Sequence, residues 1–207
     1  MKNLPILEIL KDSNIVRNSF IELFMAKDID QVLEKMRLDY NHALLSNFEK
    51  ILNDNDERNR LLSNKYYMNL QEDKFIGFFI DIFKNNSNIC VIKTDFFNKD
   101  YDLFLPYLNS GIDIKFQYLL LHQYIIFHNK KNRYFIIKDI DLLKLFIIFG
   151  LREQWINDFF IFPKDEICLI NNYDQLFPMF FKNNHSLEKY DKIAKLHKIF
   201  LINKVII

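Results

Sequence analysis

The sequence predicts an α+β fold, with an N-terminal helical hairpin followed by a mixed domain whose largely antiparallel sheet is packed by helices. Three observations predict it. Residues 1–52 place apolar side chains at three- and four-residue steps. Beyond Leu70, helical stretches alternate with short β-rich runs. Two pairs of those runs are separated by short polar turns, as hairpin strands would be. The polar run Asn53-Asp54-Asn55-Asp56-Glu57-Arg58-Asn59-Arg60 marks the boundary, giving a helical segment over 1–60 and an α+β domain over 61–207.

Taken in order, Asp12 and Ser13 can cap a helix running to about Lys27, with Ile15, Val16, Phe20, Leu23 and Phe24 as its apolar stripe. Asp28 precedes the most regular period in the chain, in which Ile29, Leu33, Met36, Tyr40, Leu44, Phe48 and Ile51 predict one long helix over 29–52. Residues 70–84 predict a core helix, and Asn88–Lys93 a short buried strand. Lys99–Leu108 reads as a helix interrupted by Pro106, and Ile112–Phe116 as a half-buried strand. Gln123–Phe127 and Arg133–Lys138 read as a hairpin with a charged tip at Lys130-Lys131-Asn132-Arg133. Asp139 can cap a helix over 140–149 that is apolar nearly all round and closes at Gly150. Phe159–Phe162 and Glu166–Ile170 predict a second hairpin turning at Pro163-Lys164-Asp165. Met179–Phe181 is the last predicted strand. Residues 186–198 are the last helix, with Leu187, Tyr190, Ala194, His197 and Leu201 on one face.

Composition narrows the function classes. The chain has 207 residues with 28 basic and 27 acidic groups, so no net field recruits nucleic acid or anionic lipid. Gly 3 and Pro 4 fall far below the usual roughly one residue in eight. So few glycines argue against phosphate-cradling loops, and with them P-loop and dinucleotide-binding enzymes. Phe 22 and Tyr 10 supply large buried rings. Cys90 and Cys168 each sit within an apolar run and read as buried thiols in strands. Met1–Leu10 shows no secretory signal, and the most apolar windows are too short to span a bilayer. The expectation is a soluble, cytoplasmic protein.

Few residues suggest chemistry. The histidines fall in no zinc-ligand spacing, and no nucleophile motif is present, so no cofactor or metal is expected. His122 and His128, six apart on one predicted strand, would share a face. The sharpest catalytic alternative is Asp95 with Asp113-Ile114-Lys115. On adjacent strands these would follow the restriction-nuclease-like pattern of two carboxylates on Mg²⁺ and a lysine against developing charge. Glu72 or Asp81 would be a further ligand. A basic ridge at Lys189, Lys192, Lys195 and Lys198 offers phosphate contacts, the alternative of a phage or mobile-element accessory protein touching nucleic acid.

One stretch resembles a known group. In residues 153–182, Trp155, Asp158, the Phe159-Phe160-Ile161 strand, the strand at 166–170 and the turn Asn172-Tyr173-Asp174 follow one another closely. This is similar to the C-terminal hairpin of small bacterial immunity proteins, the cytoplasmic antitoxins of contact-dependent and polymorphic toxin systems. The resemblance implies a non-catalytic α+β protein that binds one cognate toxin domain and blocks its active site. A basic nuclease-type toxin would call for acidic contacts. The candidates on predicted loops and strand ends are Asp95, Asp100, Asp102, Asp158, Asp165 and Asp174. The apolar stripe of the predicted helix 29–52 also needs cover, from the main domain or from a second copy in a homodimer.

Overall fold

In a computed structural model the described residues are 4–12, 14–17, 20, 29–53, 55–62, 64–108, 111–128, 130, 132–152 and 157–207. Their centre is an eight-stranded sheet. In chain order the strands are β1 (Glu8–Ile9), β2 (Asn41–Ser46), β3 (Cys90–Lys93), β4 (Tyr134–Ile137), β5 (Phe159–Phe162), β6 (Ile167–Ile170), β7 (Phe177–Phe181) and β8 (Phe200–Val205). Across the sheet they run β1-β4-β3-β5-β6-β7-β2-β8, and every neighbouring pair is antiparallel.

The longer helices are α1 (Ile29–Asp39), α2 (Lys65–Asn85), α3 (Tyr101–Leu108), α4 (Ile114–Phe127), α5 (Ile140–Leu151) and α6 (Asn184–Leu196). Their starts follow from local chemistry. Side chains of Asn64, Asp139 and Asn183 accept from backbone N–H groups of the first turns of α2, α5 and α6, which have no partner inside the helix.

Strand alternation divides the sheet into two dry faces. On one, Ile92, Phe135, Phe160, Leu169 and Met179 meet the inner sides of α2, α4, α5 and α6 in the larger core. On the other, Val91, Phe159, Ile161, Cys168, Ile170 and Phe180 meet Val16, Phe20, Val32 and Met36 of the N-terminal segment. Both faces are covered, so β5 and β6 read as unbroken apolar runs, buried at every position.

The N-terminal expectation is corrected. The described residues of 1–60 do not form the expected helical hairpin: β1 is the edge strand beside β4, a short helix follows at Asn14–Arg17, and α1 ends at Asp39. Helix 29–52 does not exist, because 41–46 enters the sheet as β2 between β7 and β8. Tyr40 N–H donates the last helical bond to the Met36 carbonyl, 3.0 Å. A sheet offering hydrogen bonds on both sides outweighs the helix preference of Ala43, Leu44 and Leu45. Met36 of the stripe is buried within the chain and Leu33 and Tyr40 pack against the same core, so the homodimer built on helix 29–52 loses its basis. The cap at Ser13, Leu23, Phe24 and Asp28 lie outside the described residues.

Two further expectations are corrected. Ile112–Phe116 and Gln123–Phe127 are not strands, since α4 covers 114–127 and β4 pairs with β3 and β1 instead. Leu119, Leu120, Gln123, Tyr124 and Phe127 are the buried side of α4, a helical period that outweighs the β-branched pair Ile125-Ile126. Leu201 belongs to β8 rather than to the last helix, which ends before Lys198 turns left-handed at φ 57. The expectations that hold are the β5–β6 hairpin, β3, and the helices over 70–84, 99–108, 140–149 and 186–198, each with small shifts at its ends.

Candidate functional site

The segment from Asp95 to Leu103 links β3 to α3 and faces solvent. Its shape comes from two aromatic plugs. Thr94 Oγ1 accepts from Phe96 N–H, 3.1 Å, opening a short turn over Phe96–Asn98. Phe96 packs on Phe104, Tyr107 and Phe149, while Phe97 packs on Phe127, Phe135 and Phe146. With both rings driven inward, Asp95 is left outside, where Arg133 Nε reaches it at 2.8 Å with both side chains half exposed or more.

Asp100 starts α3, its carbonyl accepting from Leu103 and Phe104 N–H, and Asp102 lies in the first turn. Carboxylates there are favoured by the positive end of the helix dipole. Phe104 anchors the turn by stacking on Tyr124 with ring centroids 3.8 Å apart, and Tyr124 O–H donates to the Lys99 carbonyl, 2.8 Å. Burial pushes the Tyr124 hydroxyl up, and the charges of Asp100 and Asp102 push it further, which marks a negative local field. Tyr101 and Leu103 stand exposed between these acids.

Asp95, Asp100 and Asp102 are all exposed on this one segment, Asp95 beside Arg133 and the other two at the start of α3, and the fold places the other three acids elsewhere. Asp158 is wholly buried beside Asn171, whose Oδ1 accepts from the Asp158 N–H at 2.7 Å. That burial removes it from any contact surface. Asp165 sits in an internal network. Its carboxylate accepts from Tyr190 O–H and from Lys189 Nζ at 2.6 Å, its N–H donates to Asn86 Oδ1, and its carbonyl accepts from Ser186. Burial pushes the Asp165 carboxyl up, but the bonds from Lys189 and Tyr190 outweigh it and hold the group below the ordinary range. Asp174 is exposed and left-handed at φ 57, lining a hollow of about 300 Å³ with Ser46, Phe48, Ile51 and Leu176.

The nuclease-like residues engage three different places. Asp95 meets Arg133, Asp113 precedes the first turn of α4, and Lys115 meets Asp141 at 2.6 Å. Asp113 and Lys115 thus stand at a helix start rather than on a strand beside Asp95. Glu72 forms a bidentate pair with Arg152, at 2.6 and 2.9 Å. Asp81 meets His197 Nε2 at 2.7 Å. His122 lies within α4 and His128 caps it, so the shared strand face is corrected as well. Among the described residues no group of three or more His, Cys, Asp or Glu side chains could hold a metal ion.

In the basic ridge, Lys189 is engaged by Asp165, and Lys195 and Lys204 share Asp191. Lys192 and Lys198 are exposed. Steps of three residues advance by 300° on a helix, so these lysines spiral around α6 rather than line one face. Cys90 and Cys168 are free and fully buried on opposite faces of the sheet, with burial pushing both thiols up and away from the reactive thiolate.

Sequence reasoning missed the exposed apolar side of α4, described below. Its signal was the 4-3-4 spacing of Ile114, Tyr118, Leu121 and Ile125, hidden while both ends of the helix read as strands. Fold and site together define an α+β protein with an exposed segment that carries acidic and apolar side chains. No protein family, curated protein or solved structure matches the chain. Trp155, part of the immunity-protein resemblance, lies outside the described residues, and among those described no helix is long and apolar enough to cross a membrane.

Proposed function

We propose that the chain is an immunity-type protein of the cytoplasm. It binds a cognate toxin domain of basic character through the Asp95–Leu103 segment and neutralises it by covering its active surface. The observation that carries this reading is one exposed segment holding Asp100 and Asp102 beside the exposed Tyr101 and Leu103, with Asp95 exposed at its start. Aromatic and aliphatic anchors supply affinity, and the surrounding charges speed encounter and reject wrong partners. Phe96, Phe97 and Phe104 hold the segment rigidly on the core, so little ordering cost opposes binding.

The test is co-expression with the protein encoded beside this chain, scored by growth and by co-purification. Wild type is expected to restore growth and co-purify with its partner. Asp100→Lys with Asp102→Lys should abolish both, while the loss of two helix-start carboxylates lowers the thermal midpoint by only about a few degrees and leaves the fold intact. Full rescue by this double variant would overturn the assigned surface, and a neighbouring product with no toxicity or binding would overturn the reading itself.

A further inference from the structure

α4 presents two unlike sides. Leu119, Leu120, Gln123, Tyr124 and Phe127 face the core, whereas Ile114 is 68% exposed, Tyr118 63% and Ile125 70%, with half-buried Leu121 completing the row. The steps along this row are four, three and four residues, the spacing of a coiled-coil seam. An apolar helix row left in water is the mark of a contact surface.

The spacing also reads the same in both directions. When two copies of α4 lie antiparallel, Ile114 of each opposes Ile125 of the other, and Tyr118 opposes Leu121. A two-fold axis through the middle of the helix therefore makes the row complementary to itself, as an isologous dimer requires. We propose that the outer faces of α4 from two copies of this chain pair antiparallel, forming a homodimer on the helical side of the sheet.

The available area supports a second copy. Taking roughly 200 Å² for a fully exposed large apolar side chain, Ile114, Tyr118 and Ile125 offer on the order of 400 Å² per copy, to which half-buried Leu121 adds. Lys115, Gln117 and His122 along the margins bring this toward the roughly 800 Å² per partner of a standard interface. The row itself contains no charged group, so pairing it with itself buries no unpaired charge. The row shares no residue with the Asp95–Leu103 segment, and the oligomeric state is measured independently of partner binding.

Sedimentation equilibrium of the full chain, from micromolar to sub-millimolar concentration, tests the proposal. Wild type is expected to approach twice the 25.2 kDa of one chain. Tyr118→Asp, and separately Ile125→Asp, should return it to a single chain with unchanged circular dichroism, while Lys192→Glu on α6 should leave the dimer intact. A wild-type mass of one chain throughout, or a dimer that survives both α4 substitutions, would overturn it.

Discussion

Helices α4 and α6 pack on the same side of the sheet, each burying one flank in the larger core. Their outer flanks differ. α6 shows water Glu188, Lys192 and Lys195, with a single exposed leucine, Leu196, at its last residue. α4 shows Ile114, Tyr118 and Ile125. Packing against the core does not require the outer residues of either helix, so the contrast separates what folding needs from what contact needs. α6 is held by an internal polar network through Tyr190 and Lys189 to Asp165, whereas α4 combines apolar burial with hydrogen bonds of Gln123 to Leu7 N–H and the Pro5 carbonyl and of Tyr124 to the Lys99 carbonyl.

The largest expected effect lies across α4 itself. Leu120→Ala removes a wholly buried side chain and should cost roughly 2–5 kcal/mol in urea unfolding. Tyr118→Ala at low concentration should stay within about 0.5 kcal/mol of wild type. A large loss at Tyr118 in the monomer would show that its outer flank serves folding, and would break the contrast.

The next largest effect is at Asp165, in the β5–β6 turn that holds α6: Asp165→Asn weakens hydrogen bonds to a charged group and should cost about 1.5–3 kcal/mol. The Asp165 carboxyl titrates lower folded than unfolded. Its contribution is therefore present above the ordinary carboxylate pKa of about 3.9 and lost as pH falls through the folded value. Thermal midpoints should fall more steeply on acidification in wild type than in Asp165→Asn, and equal slopes would remove Asp165 from the account.

A smaller effect is expected where α6 ends. At Gly77 of α2, an added Cβ would stand 2.6 Å from Nδ1 of His197, whose Nε2 meets Asp81. Gly77→Ala should displace that ring and cost about 1–2 kcal/mol by overpacking, measurable as a lower denaturant midpoint. Lys192→Glu should have the smallest effect, within about 0.5 kcal/mol, because it alters only a solvated flank.

Much of this architecture was legible in residue patterns. The β5–β6 hairpin stood out because Phe159–Phe162 and Ile167–Ile170 are short apolar runs around Pro163-Lys164-Asp165, and α5 because Asp139 precedes a long apolar stretch. β2 was not legible, since Asn41–Ser46 continues the period of α1 and only pairing with β7 and β8 decides it. α4 was misread because apolar side chains lie on both its inner and outer flanks, which leaves little amphipathic signal. The candidate site was half visible. Charge and turn propensity picked out Asp95, Asp100 and Asp102 correctly as exposed, but the same criteria selected Asp158 and Asp165. Their fates depend on Asn171, Asn86 and Tyr190, partners brought close only by the fold.

The account rests most heavily on contact through the Asp95–Leu103 segment. Calorimetric titration of this chain with the protein encoded beside it, at low and high salt, tests that most directly. Wild type should bind with affinity that falls steeply as salt rises, and Asp100→Lys with Asp102→Lys should weaken binding at least tenfold. Tyr101→Ala should cost roughly 2 kcal/mol, as a central anchor does. Binding that ignores both salt and these substitutions would contradict the account.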